Sequence, residues 1–125
     1  NRKEASSENQ KFEFWSNILS CPYILCVRGR GNFSARFYET LAMGRIPIFI
    51  NTDCILPLDD QIDWRKHCIW IEKNDIENSV EIIQEFHRNI SDQDFKNLQI
   101  KNRNLWQNKM TFNGFYKNFL IKRFK

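Results

Sequence analysis

The chain is poor in the residues that break or staple a fold. Four glycines and three prolines among 125 residues are too few for a fibrous, linker-like or disordered polypeptide. Long apolar runs are also missing. The longest, Tyr23 to Val27 and Ile46 to Ile50, reach about five residues, where a bilayer span needs about 20. Four cysteines stand at 21, 26, 54 and 68 with no C-x-x-C pair, and His67 and His87 lack the spacing of zinc ligands. Neither a metal site nor a disulfide framework is expected. Cys26 and Cys68 lie within strand-like runs, where a free thiol behaves as a small hydrophobe. The chain has no G-x-G-x-x-G followed by an acid about twenty positions on, and no G-K-[ST], so a dinucleotide oxidoreductase and a P-loop enzyme are both disfavoured.

What is present suffices for a core. Hydrophobic residues make up 42% of the chain, with eleven Phe, four Trp and three Tyr, enough to fill one small domain over residues 1–125. The net charge of +4 is unevenly spread. Asp53 to Asp94 holds eleven acids, whereas Phe95 onward holds eight Lys or Arg and no acid. A basic tail can face an anionic membrane or nucleic acid, and the plainer reading is a solvated helix face. The chain begins with Asn1, not Met, which leaves room for a removed leader or a preceding N-terminal half.

Apolar spacing orders the elements. Residues 8–20 read as a helix with Phe12, Trp15, Ile18 and Leu19 on one stripe, ended by Pro22. Tyr23 to Val27 has strand length. A polar loop follows, Arg28-Gly29-Arg30-Gly31-Asn32-Phe33. Ser34 suits the N-cap of a helix over 35–43, and Gly44 its C′ position. Ile46 to Ile50 is a second strand. Both strands are apolar at every position, the signature of a parallel sheet covered on both faces, and 23–50 therefore reads as a βαβ unit. A loop over 51–67 leads to a third strand at 68–72. Helices follow at 76–89, at 92–108 with Ser91 as cap, and near 112–124. Three strands are few for a doubly wound domain. The expected class is α/β, a partial Rossmann-like parallel sheet flanked by helices, the back part of a larger domain.

The chemistry concentrates in residues 28–39. Ligands of open α/β sheets bind outside the carboxyl ends of the strands, where Arg28 to Phe33 lies. Gly29 and Gly31 let backbone approach a ligand. The helix beginning at Ser34 points its N–H groups and positive dipole end there. Arg28, Arg30 and Arg36 supply forks for phosphate oxygens. Glu39, three positions after Arg36, shares its helix face. A carboxylate does not bind phosphate, but it accepts hydrogen bonds from vicinal hydroxyls such as those of a ribose. The competing reading is a plain turn with an Arg36–Glu39 surface ion pair, since a lone G-x-G is a weak signal. Asp92-Gln93-Asp94 matches the letters of a metal-binding D-x-D, yet follows Ser91 at a helix start, where acids suit the dipole.

The stretch from Ile24 to Ile48, ILCVRGRGNFSARFYETLAMGRIPI, closely resembles the C-terminal signature of exostosin-family glycosyltransferases, continuing through Asp53, Leu56-Pro57 and Ile62-Asp63-Trp64. The similarity covers roughly residues 15–90. That family usually has Pro where Val27 stands and often Cys where Arg45 stands. The resemblance implies the C-terminal, nucleotide-sugar-binding part of a GT-B enzyme, which is inverting and needs no bound metal or other cofactor. By position, Arg28, Gly29, Gly31, Asn32, Ser34 and Arg36 would surround the diphosphate and Glu39 would hold the ribose. Asn51 to Asp53 would lie near base or sugar. UDP, the commoner nucleotide of that family, is expected on that basis. The general base would come from the N-terminal half, and the acceptor would be a glycan or a lipid-linked saccharide. For Pro57 and Trp64 loop packing is the favoured reading.

Two other readings stay open. A nucleic-acid-binding domain would use the basic tail with Trp106, Phe112, Phe115 and Tyr116 as stacking platforms. A non-catalytic domain would keep the fold without the reaction. Asn32-Phe33-Ser34 and Asn89-Ile90-Ser91 are glycosylation sequons, and a glycan on Asn32 would block the site. A cytoplasmic enzyme, with its tail peripheral to the inner membrane face and no nucleic-acid partner, is the resulting expectation.

Overall fold

The computed structural model describes residues 2–121, 123 and 124, except for the side chains of residues 2–5, 17 and 18. Three parallel strands, β1 (Tyr23–Cys26), β2 (Ile46–Asn51) and β3 (Ile69–Glu72), form one sheet in that order. Leu25 pairs with Ile48 and Phe49 with Trp70. Helices α1 (Arg2–Ser20), α2 (Ala35–Ala42), α3 (Ser79–Asn89), α4 (Asp92–Leu105) and α5 (Phe112–Phe115) surround it. Widened π turns at Trp106–Met110 and Tyr116–Ile121 follow α4 and α5. One face of the sheet packs Ile24, Cys26 and Phe49 against Phe37 and Leu41 of α2, with Leu56, Leu58, Ile62 and Trp64 from the long loop. On the other face Ile46, Ile48, Ile69 and Ile71 meet Ile82, Ile83 and Phe86 of α3 and Phe95 and Leu98 of α4. This is the expected parallel α/β sandwich around a short sheet.

Three expectations need correction. Of the stripe assigned to the first helix, Phe12, Trp15 and Leu19 are exposed, and the side chain of Ile18 lies outside the described residues. Phe14 packs on the core instead, because α2 meets a different face of α1. Second, β1 is not covered on both faces. Leu25 and Val27 are half exposed, since α3 and α4 reach only Tyr23, which stacks edge-on with Phe86, His87 and Phe95. Third, the last helices are not continuous α-helix. Both end in widened turns, and between them Gly114 fits so tightly under the Asn108 carbonyl that a Cβ there would collide with it.

The amino ends of the strands are tied to α4 by one buried amide. Asn102 donates to the Arg45 carbonyl at 3.0 Å and to the His67 carbonyl at 2.9 Å. Arg45 immediately precedes β2, and His67 lies two residues before β3. The Asn102 oxygen lies 2.9 Å from His67 Nδ1. Since the amide nitrogen is committed as a donor, the imidazole donates here through Nδ1. All three groups of the clamp are satisfied, as burial demands.

Two outcomes follow from this packing. Gly44 has φ +62, and a Cβ on it would press on the Gln99 carbonyl at 3.3 Å. Gly44→Ala is expected to lose about 1–2 kcal/mol in urea unfolding, the cost of a left-handed L-residue. Burial holds the His67 imidazole below its ordinary value of 6.5. Between those values the unfolded chain binds a proton that the native chain does not, so stability drops as pH falls through 6.5 and below. The urea midpoint should fall from pH 7.5 to 5.5 in the native sequence and change less in His67→Gln.

Candidate functional site

Parallel pairing brings the carboxyl ends of all three strands to one edge, with Cys26 opposite Phe49 and Asn51 opposite Glu72. The loops leaving these ends are laced together by side chains. Asn32 donates to the Thr52 carbonyl at 3.1 Å and accepts from the Thr52 hydroxyl at 2.7 Å. Asn51 accepts the Asp53 N–H at 3.1 Å and donates to Glu72 Oε2 at 2.8 Å. Glu72 Oε1 accepts from Trp70 Nε1 at 2.8 Å and from Arg65 Nη2 at 3.0 Å. The bonds from Asn51 and Trp70, with Arg65 adding a positive charge, hold the Glu72 carboxyl below the usual carboxylate range.

Helix α2 opens onto the same edge. Ser34 has the extended backbone of an N-cap, φ −125 and ψ 116, yet its hydroxyl makes no capping bond. The Phe37 N–H is taken by the Ser34 carbonyl at 3.2 Å, and the Ser34 side chain caps none of the first-turn N–H groups. Arg28, Gly29, Arg30, Gly31 and Asn32 are all exposed. Neither Arg28 nor Arg30 has an ion-pair partner among the described residues. Arg36 lies over the Phe14 ring, 5.2 Å from its centroid, a cation–π contact that steadies the side chain and leaves its charge intact. Arg36 and Glu39 form no ion pair, so the surface-pair reading of these two residues does not hold. Glu39 is half buried and its carboxylate has no partner among the described residues.

The glycines of the loop are not there to satisfy the fold. A Cβ on Gly29 would find its nearest neighbour, the Phe33 carbonyl, at 3.9 Å, and one on Gly31 would meet the Phe33 ring at 3.4 Å. Neither has the positive φ that marks Gly44. Small residues here keep the outer surface of the loop open to close approach. Asp53 is exposed and left-handed, φ 60, a conformation that Asp tolerates better than most residues.

Other residues of interest turn out to be structural. Burial pushes the Cys26 thiol up to about 11 and the Cys68 thiol up to about 12, so neither is a thiolate nucleophile at neutral pH. Asp92 and Asp94 begin α4, where Ser91 Oγ accepts the Asp94 N–H at 3.1 Å. Trp64 is buried and donates to the Pro57 carbonyl at 3.0 Å. Of the four suggested stacking platforms, Trp106 and Phe115 pack on the core, while Phe112 and Tyr116 stack on each other. They do not form one aromatic surface. A groove of about 530 Å³ lies between residues 55–61 and Asn118, Phe119 and Arg123, and one of about 510 Å³ runs along Asp59 to Arg65 and Trp70. Neither is lined by residues 28–39. An anion held by backbone N–H groups and arginines needs an open donor surface and no enclosed cavity.

Sequence reasoning missed Glu72, and reached Thr52 only as part of the range Asn51 to Asp53, without its link to Asn32. The signal at both positions was faint: each is a polar residue at or just after the end of an apolar strand.

Residues 1–86 match the family model of the exostosin GT47 domain. The chain is 30% identical over 70 residues to "Exostosin-1" of Drosophila melanogaster, covering 56% of this chain and 9% of that protein. It is 30% identical over 83 residues to "Exostosin-1 homolog" of Caenorhabditis elegans, covering 66% and 22%. It is 30% identical over 63 residues to "Probable glucuronosyltransferase 47 A" of Physcomitrium patens, covering 50% and 14%. The matched part is thus under a quarter of each of these relatives. No solved structure matches. The family match over residues 1–86, which contains the whole of the laced loops at 28–34 and 51–53, shows that the chain belongs to the exostosin GT47 family of glycosyltransferases.

Proposed function

We propose that residues 28–39, with Asp53, bind the nucleotide diphosphate of a sugar donor in an inverting glycosyltransferase. The observation that carries this reading is a loop and helix start at the carboxyl edge of a parallel sheet where three arginines and Glu39 have no ion-pair partner among the described residues and α2 has no side-chain cap. Arg28, Arg30, Arg36 and the first-turn N–H groups take the diphosphate oxygens. Glu39, one turn along α2, takes the ribose hydroxyls. UDP is the nucleotide in this reading, and no metal is required.

In the reaction the acceptor hydroxyl of a glycan or lipid-linked saccharide attacks the anomeric carbon as the bond to the diphosphate breaks. A general base on the remainder of a longer polypeptide removes the hydroxyl proton. The arginines and helix dipole stabilise the charge growing on the departing diphosphate, in a geometry already set before reaction.

NMR titration of the chain with UDP, GDP and a UDP-sugar tests this directly. Shifts should centre on residues 28–39, and Glu39→Ala should weaken UDP by about 1.5–3 kcal/mol, the loss of hydrogen bonds to a charged group. A folded chain that shows no shifts with any of the three nucleotides would exclude the donor-site reading. Gly29→Ala should leave the urea midpoint unchanged, since its Cβ has room in the fold, yet weaken UDP by blocking backbone approach. Equal binding by that variant would remove the loop from the site.

A further inference from the structure

We infer that Glu72 is a positioning residue of this site, setting the Asn51–Asp53 turn and through it the loop that carries Asn32. Its consequence for nucleotide binding rests on the donor-site reading; its consequence for loop order does not.

Glu72 is the last residue of β3 and the direct pairing partner of Asn51. A carboxylate only accepts hydrogen bonds. Because Glu72 Oε2 faces Asn51, the Asn51 amide must turn its Nδ2 toward it, at 2.8 Å. That orientation leaves Asn51 Oδ1 facing the Asp53 N–H, at 3.1 Å. The turn so fixed is the one in which Asp53 is left-handed. It presents both the carbonyl and the hydroxyl of Thr52 to Asn32. Five residues from three strand ends, Glu72, Asn51, Asp53, Thr52 and Asn32, are thus linked, and the polarity of the first fixes that of the second.

The other partners of Glu72 show how its carboxylate is fixed. Trp70 Nε1 and Arg65 Nη2 both donate to Oε1, and the Arg65 guanidinium lies 4.9 Å from the Trp70 ring centroid. These contacts leave Oε2 for Asn51. The side chains of Arg65 and Glu72 are 65% and 43% exposed, so the ion pair adds little to global stability. The effect of Glu72 therefore falls on loop order more than on the fold.

The test exchanges the polarity of one hydrogen bond. Glu72→Gln keeps an oxygen for Trp70 and Arg65 but sets an amide NH2 against the Asn51 NH2. Either the bond is lost, or Asn51 flips and gives up the Asp53 N–H. In Glu72→Gln/Asn51→Asp the donor and acceptor are reversed, and the second oxygen of the carboxylate introduced at position 51 still accepts from the Asp53 N–H. Amide exchange without nucleotide should speed up in residues 28–34 and 51–53 of the single variant by about tenfold, the factor carried by one such bond. The strand amides should be unchanged, the Kd for UDP should rise by a similar factor, and the double variant should restore both. Native loop exchange in Glu72→Gln, or no recovery in the double variant, overturns the inference. If the native chain fails to bind UDP while loop exchange responds as expected, the donor reading falls and the positioning role stands. If the native chain binds UDP and Glu72→Gln changes neither binding nor exchange, the positioning role falls and the donor reading stands.

Discussion

The burial of β2 on both faces is the constraint on which the rest of the molecule depends. Ile46 and Ile48 point into one core cluster and Phe49 into the other, so the strand needs a neighbour on each side and a helical layer on each face. Parallel neighbours meet that need only when the connections cross over the sheet, as the α2 connection between β1 and β2 does. Parallel order in turn puts every carboxyl end on one edge. The site is a by-product of how the core is filled.

The two edges of the sheet are held by different chemistry. At the amino edge, buried Asn102 clamps the entries to β2 and β3 and has all its hydrogen bonds satisfied inside the protein. At the carboxyl edge, the Asn32–Thr52 and Asn51–Glu72 links are partly open to solvent. A closed edge gives rigidity, since an unmet buried polar group would be costly. An open edge of side-chain bonds orders the loops yet leaves backbone N–H groups and arginine charge facing outward, as a binding surface requires.

Much of the fold was legible because it follows local rules. The βαβ unit announced itself through two continuous apolar runs, and Gly44 took the positive φ expected of a residue just past a helix. Ser91 capped α4 as its place before Asp92 and Asp94 suggested. The reading went astray where a partner had to be known. The stripe of Phe12, Trp15 and Leu19 is amphipathic, but which face of α1 is buried depends on where α2 lies. Leu25 is as apolar as its neighbours in β1, and only the reach of α3 leaves it exposed.

The sequence by itself determined the class of fold, the order of elements and the loop where arginines, glycines and a helix start coincide, because each of these depends on residues close together along the chain. The tertiary structure alone decided which side chains there are committed and which are open. Asn32 is bound to Thr52 across twenty positions, and Asn51 to Glu72 across twenty-one. Arg36 lies over Phe14 and is not paired with its helical neighbour Glu39. Those pairings depend on strand register and on the approach of loops distant in sequence, and local periodicity carries no record of either.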